Sequence, residues 1–600
     1  MTKTINKNKN KQPSVSFSRR DMLKGAAVLA AGTAAAAMTP ATLATAAQPA
    51  SGTPWEAPLV NVVASPSKNV VELESGKVYG YSQDGVLAFM GMPYGASTGG
   101  KNRFMPAQKP EPWAGVRPAL YWGPVAPQNF TSTLDAPRGG WRHPREAFMF
   151  RWEDGNDGED CLVCNVWTSS INDNAKRPVM MWIHGGGYVF GSDQELRMYP
   201  GDNLVRRGDV VVVSVNHRLG VMGFSNLLEF GSQYRDSTNL GMRDLVLALE
   251  WVKTNIGNFG GDPNRVMIFG QSGGGGKVST LMGMPEAEGL FHRAAIESGS
   301  ELTERPMEAA ARLTAAIVAE LGLSKATIGR MHEIPYQRIV EAAVHAPQVA
   351  AAGGARLAVG GIGGWGPAVD GTHIPRSPWD PTGPSYSKNV PLIVGTTRNE
   401  FFNSVQMEDA SVDHWTMAEV RQRLTGGGGT GFMRASFGKA SAADAVLAVA
   451  RKLFPNETPF GLYSVITATR TMRMNALEQA RRKALQDGAP AYNYWFQRVA
   501  PILDGQARAH HCSELPYVFY QTETCSTMTG GGADARALGG VMADAWIHFA
   551  RTGDPNHAGM PHWPAYDPAT IPTMVFNDRT EAVNDPDGEL RKAIADAAKA

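Results

Sequence analysis

The chain has 600 residues, 43% of them hydrophobic and 19% charged, a globular composition long enough to bury a large core. Its 57 Lys and Arg nearly balance its 56 Asp and Glu, which excludes nucleic-acid binding through a basic surface. No period of about 20 to 50 residues recurs, so a solenoid or propeller is excluded as well.

In chain order the first segment reads as an address. A polar, basic lead reaches Arg19-Arg20 within S-R-R-D-M-L-K, an Ala-rich apolar run follows from Gly25 to Met38, and Ala44-Thr45-Ala46 offers an A-x-A cleavage site. This pattern predicts a twin-arginine signal peptide over residues 1–46. The apolar run has 14 residues. At about 1.5 Å per residue it falls short of a bilayer core of roughly 30 Å, so removal is expected rather than anchoring. Residues 47–600 carry a net charge of −5 and no other apolar run of spanning length. The expectation is an exported protein, periplasmic or secreted, with no stable membrane insertion.

Further on, "EDCLVCNVW" reads as a strand, which would turn Cys161 and Cys164 to opposite faces. That suits buried thiols better than a zinc or redox pair, and no metal or cofactor is implied. Cys512 and Cys525 could pair in an oxidising compartment, which spacing alone leaves open. "RPVMMWIHGGG" and "DVVVVSVNHRLG" are apolar runs ending in turns, as expected of strands buried on both faces of a parallel sheet. Between Asn239 and Phe259, Leu245, Leu249, Val252 and Ile256 lie on one helical stripe. "RVMIFG" is another short buried strand, and the alternation predicts an α/β fold.

The stretch after that strand, "FGQSGGGGKVST", admits two chemistries. A phosphate loop needs G-x-x-x-x-G-K-[ST], but its first position falls on Gln271 and Val278 follows Lys277, so both defining positions fail. Gly270-Gln271-Ser272-Gly273-Gly274 instead spells G-x-S-x-G, a strained strand-to-helix turn that presents a nucleophilic serine and needs small neighbours. Acyl transfer also needs amide donors for a developing oxyanion. His184-Gly185-Gly186-Gly187, directly after the strand "VMMWI", supplies a glycine loop able to turn successive N–H groups toward one point.

With these motifs placed, the chain resembles the type B carboxylesterase and cholinesterase family of α/β-hydrolases. The likeness runs from "GKVYGYSQDGVLAFMGMPYG" through "WIHGGGYVFGS", "VNHRLGVMGF", "PAVDGTHIP", "VGTTRNEFF" and "HCSELPYVF" to "AWIHFARTGDPN", in the family's order. It implies an α/β-hydrolase fold, a mostly parallel central sheet covered by helices, with large insertions forming a substrate gorge and residues 47–600 making a single catalytic domain. It implies a Ser-His-Glu triad of Ser272, Glu400 and His511, matched through "PLIVGTTRNE" and H-x-x-E-L-P, with an oxyanion hole of Gly186, Gly187 and Gly273. His510 lacks the Glu three residues on that marks His511. Glu514 resembles a structural carboxylate, Asp244 with Arg218 and Glu159 with Arg103 resemble internal ion pairs, and Ser298 matches a serine that supports the acid, a plain buried hydroxyl being the alternative.

The chain departs from the family at Gly273, where alanine is common, and at Lys277, where a small residue is common; whether Lys277 is solvated or paired stays open. Cys161 matches a bridged family cysteine, but no cysteine precedes it. "GGARLAVGGIGGWG" stands where cholinesterases carry acyl-pocket aromatics, with Trp365 alone among glycines, so a roomy acyl pocket is expected. Trp152 could line the gorge. The implied partner is a small-molecule ester, with no nucleic acid and no cofactor. Amide, carbamate or lactone hydrolysis, and a non-catalytic binding module, are the competing functions; oligomeric state is not readable.

Overall fold

The computed structural model describes residues 62–128, 144–153, 155–352, 364–400, 414–426 and 435–599, all within one unit, Val60–Ala600. The signal segment 1–46 and residues 353–363 of the glycine-rich stretch lie outside the described residues.

The central sheet has twelve strands. In chain order they are β1 (Val63–Ala64), β2 (Tyr81–Gln83), β3 (Val86–Pro93), β4 (Val163–Thr168), β5 (Arg177–Ile183) and β6 (Val211–Val215). β7 (Gly261–Gln271), β8 (Arg293–Glu297), β9 (Leu392–Thr397), β10 (Ala491–Phe496), β11 (Pro572–Phe576) and β12 (Glu581–Asn584) complete it. Their spatial order is β1-β2-β3-β4-β6-β5-β7-β8-β9-β10-β11-β12. From β6 to β11 every neighbour pair is parallel, and antiparallel strands close both edges. The hairpin β2–β3 turns at Asp84-Gly85, both at positive φ (50° and 79°), the backbone a two-residue type I′ turn requires.

Strand pleating explains the continuous apolar runs. Val179, Met181 and Ile183 of β5 enter one hydrophobic cluster while Met180 and Trp182 enter the other, and Val266 and Ile268 of β7 oppose Met267 and Phe269 in the same way. The first cluster is covered by helices α1 (Leu240–Asn255), α2 (Gly273–Leu281) and α3 (Met474–Ala484), the second by α4 (Gly532–Thr552). A third cluster joins the helices Met417–Gly426, Ala440–Leu453, Pro459–Ala468 and Gly588–Lys599. Among the described residues no helix is long and apolar enough to cross a membrane.

Local readings differ from the structure in two places. The α-helix predicted to run to Phe259 stops at Asn255 and tightens into a 3-10 turn, Ile256–Phe259, closed by Gly260 at φ 75°. The strand expected over "EDCLVCNVW" begins pairing only at Val163, so Cys161 precedes it, and both thiols join the same cluster. Cys512 and Cys525 are free, as are Cys161 and Cys164. Both ion pairs form as forks: Arg218 donates to Asp244 at 2.6 and 2.8 Å with neither side chain exposed, and Arg103 to Glu159 at 2.5 and 2.6 Å.

Glu297 ends β8 fully buried, and among the described residues the one donor to its carboxyl is Trp546 Nε1, 2.7 Å from Oε1. Burial pushes its carboxyl up from 4.5 to about 8. An acid raised on folding contributes stability that is present below its unfolded value and is lost as pH rises through its folded one. Glu297→Gln retains the acceptor for Trp546 without the ionisation. Its melting temperature is therefore expected to gain on the wild type between about pH 5 and about pH 8; a constant difference across that range would contradict this.

Candidate active site

Parallel strands deliver their C-terminal ends to one edge, and the residues singled out in the sequence gather there. Ser272 follows β7, the glycine loop follows β5, Ser298 follows β8 and Glu400 lies just beyond β9. Ser272 is the turn between β7 and α2, with φ 57° and ψ −125°, a strained conformation for a residue with a Cβ. The surrounding structure holds it there: its N–H donates to Glu297 O at 2.8 Å, and its carbonyl accepts from Gly276 N at 3.0 Å. Ser272 and Gly273 remain half-buried while the rest of α2 is buried.

The glycine run answers to backbone crowding. A Cβ on Gly274 would meet Ile183 O at 2.0 Å, and one on Gly273 would meet Gly187 O at 2.0 Å. The N-terminus of α2 thus lies directly on the end of β5 and on the loop after it.

That loop has its carbonyls tied back. Gly186 and Gly187 adopt φ 83° and 63°. Gly186 O accepts from Val189 N (3.3 Å) and Phe190 N (3.2 Å), and Gly185 O is 3.0 Å from His184 Nδ1. In a trans peptide the N–H points opposite its carbonyl, so the N–H groups of Gly186 and Gly187 face away from these anchors. Among the described residues neither amide, nor that of Gly273 at the first position of α2, donates a hydrogen bond.

Glu400, at φ 46°, is buried with both oxygens engaged. Oε1 accepts from Ser298 Oγ (2.8 Å) and Thr397 N (2.9 Å), and Oε2 is 2.6 Å from His511 Nδ1. The backbones are joined too, His511 N donating to Glu400 O at 2.6 Å and Asn399 N to Ala509 O at 3.0 Å. This geometry gives His511 an Nδ1–H directed at the carboxylate and leaves Nε2 on the far edge of the ring. His510 faces elsewhere: its Nδ1 is 2.7 Å from the carbonyl of His511, its ring meets the edge of Phe150, and burial pulls it down to about 4.

Two contacts were not anticipated. Gln271 Nε2 is 3.1 Å from His511 Nε2 and 3.3 Å from Nδ1, near-equal distances that set the amide against the ring, while Cys512 Sγ donates to Gln271 Oε1 at 3.1 Å. The available signal was position, since Gln271 immediately precedes Ser272 and Cys512 immediately follows His511. Glu514 is fully buried, neither oxygen has a partner among the described residues, and burial with the charges of Glu297 and Glu400 holds it well above the usual carboxylate range. Lys277 is buried, and among the described residues its hydrogen bonds go to backbone: Nζ is 3.0 Å from His184 O, and desolvation brings the ammonium down to about 7.

The aromatic candidates sit differently. Trp365 is buried in the cluster under α1 and α2, with its carbonyl accepting from Arg305. Half-buried Trp152 stacks on Phe150 at 5.1 Å, one ring removed from His510. No group of His, Cys, Asp and Glu among the described residues could hold a metal ion.

A mostly parallel sheet flanked by helices, with a sharp strand-turn-helix after β7 and loops converging on it from β5, β8 and β9, is the α/β-hydrolase fold. The family model described as the carboxylesterase family matches residues 67–592. The chain belongs to that family and is a carboxylic ester hydrolase. Para-nitrobenzyl esterase of Bacillus subtilis is 29% identical, the match covering 88% of this chain and 98% of that protein. Phenmedipham hydrolase of Pseudarthrobacter oxydans is 31% identical over 86% and 97%. Among solved structures, an esterase from Clostridium hathewayi that hydrolyses aliphatic aromatic polyesters superposes with a TM-score of 0.74 at 34% identity, covering 90% of this chain and 100% of that one.

Because Gly273 touches Gly187, Gly273→Ala must push the glycine loop away from Ser272. Ester hydrolysis is expected to fall by roughly tenfold or more, with about 1–3 kcal/mol of stability lost to the added methyl. Initial rates and a denaturation midpoint check this, and a variant as fast and as stable as the wild type would contradict it.

Proposed function

We propose that this carboxylesterase works through an acyl-enzyme on Ser272, with His511 as general base and acid, Glu400 as its orienting carboxylate, and the amides of Gly186, Gly187 and Gly273 as the oxyanion hole. The observation carrying this reading is the 2.6 Å contact of His511 Nδ1 with Glu400, which is itself fixed by Ser298 and Thr397. With Nδ1–H committed to the carboxylate, Nε2 is the basic nitrogen. Ser272 Oγ attacks the ester carbonyl carbon as its proton passes to Nε2, and the carbonyl oxygen takes the negative charge and accepts from the three amides. Collapse breaks the bond to the alcohol, which leaves with the proton from His511. Water, deprotonated by the same nitrogen, then attacks the acyl carbon, returning Ser272 and releasing the acid.

Ser272→Ala is expected to lower kcat by roughly four orders of magnitude or more while leaving the fold intact. A folded variant that turns over at the wild-type rate would overturn the assignment. A panel of esters given to the wild-type protein tests the acyl group. The sequence "GGARLAVGGIGGWG", glycine-rich with one tryptophan where cholinesterases carry acyl-pocket aromatics, supports larger and aromatic acyl esters, and the aromatic polyester activity of the Clostridium hathewayi relative supports the same choice. Faster hydrolysis of benzoyl or longer-chain esters than of acetyl esters is expected, and strict acetyl preference would contradict it.

We also infer export by the twin-arginine route to the periplasm or beyond, supported by Arg19-Arg20, the short apolar run and Ala44-Thr45-Ala46. Replacing Arg19-Arg20 by two lysines is expected to retain the full-length chain in the cytoplasm; unchanged processing and export would contradict the inference.

A further inference from the structure

Lys277 occupies a place where a charge is costly. It lies on α2 only a turn and a half beyond Ser272, its side chain has no exposed surface, and among the described residues no carboxylate comes within ion-pairing distance of its ammonium. Nζ donates instead to backbone, 3.0 Å from His184 O and 3.5 Å from Gly185 O, with the ring of Tyr188 at 5.8 Å. The imidazoles nearby, His184 and His217, stack at 4.9 Å and are held neutral by burial and by the lysine itself. An unbranched apolar side chain would fill such a site without the desolvation cost, so packing alone does not account for a lysine here.

The partners indicate a role. The carbonyl of Gly185 and the N–H of Gly186 belong to one peptide unit and point in opposite directions. Lys277 and the ring of His184 engage that carbonyl, which leaves the Gly186 N–H pointing the opposite way, and the loop itself stands close to the turn, a Cβ on Gly185 lying 3.5 Å from Ser272 Cβ. A donor on the carbonyl end also polarises the peptide and strengthens its N–H as a donor.

We propose that Lys277 is a positioning residue for the oxyanion hole, fastening the His184–Gly186 backbone from inside so that the Gly186 amide meets the developing oxyanion. The proposal rests on the assignment of Ser272 and the three amides made above. Because the charge forms only in the transition state, losing Lys277 should spare substrate binding and impair the chemical step.

The test is Lys277→Met in the full-length chain, with kcat and KM on a para-nitrophenyl ester and the affinity for an aryl trifluoromethyl ketone, whose hemiketal adduct on the serine bears an oxyanion. The expected result is a kcat lower by roughly tenfold to a hundredfold, KM within about twofold, and ketone affinity lowered in step, in a protein that melts at or above the wild-type temperature. Lys277→Gln, which retains an N–H donor on a shorter stem, should recover part of both losses, and it decides the matter alone if the methionine variant does not fold. Unchanged kcat with unchanged ketone affinity in a folded variant overturns the proposal, as does a fall in kcat that leaves ketone affinity untouched. In either case an inactive Ser272→Ala control leaves the assignment of the serine standing, whereas an active control removes the assignment and the proposal together.

Discussion

The site depends on how closely one helix start approaches one loop. Gly273 and Gly274 lie so near Gly187 O and Ile183 O that neither position has room for a methyl group. This contact brings the first turn of α2, with its undirected N–H groups, against the glycine loop after β5, the two segments that carry the proposed oxyanion hole. Glycine at these positions serves proximity more than flexibility. The parallel register of β5 and β7, Ile183 opposite Gly270, sets both chain segments at the same height on the sheet edge.

From that contact the remaining parts are braced by neighbouring strands. Ser272 N bonds to the end of β8, Ser298 after β8 bonds to Glu400 after β9, and the backbone of Glu400 bonds to that of His511. Ser272, Ser298, Glu400 and Cys512 all hold positive φ, so the strain sits where the side chains converge and is borne by a sheet buried on both faces. Burial also divides the local carboxylates. Glu297 and Glu514 lack the set of donors that Glu400 enjoys, and the low dielectric around them favours their protonated forms.

Much of this was legible in the sequence, for identifiable reasons. Val, Ile and Met runs without alternation reported strands covered on both sides, and G-x-S-x-G and H-G-G-G reported backbone turns whose geometry only glycine permits. Ion pairs such as Arg218–Asp244 were readable through resemblance and form as forks. What escaped depends on approach in three dimensions. Nothing in the letters tells that Gln271 lies against His511, that Cys512 reaches Gln271, or that Lys277 turns inward to bare carbonyls, because each contact joins elements whose separation is set by the sheet. The α1 terminus and the start of β4 were misplaced by a few residues, since a glycine cap and a strand edge decide them rather than periodicity.

The central claim is that one activated hydroxyl faces three amides. Treating the full-length protein with an aryl phosphonofluoridate, digesting it and mapping the added mass measures this directly, with the crystal structure of the adduct locating the phosphoryl oxygen. The expected result is a single adduct on Ser272 whose oxygen accepts from the N–H groups of Gly186, Gly187 and Gly273 at about 2.7–3.1 Å. Modification at another residue, or an adduct on Ser272 whose oxygen points away from those amides, would contradict it.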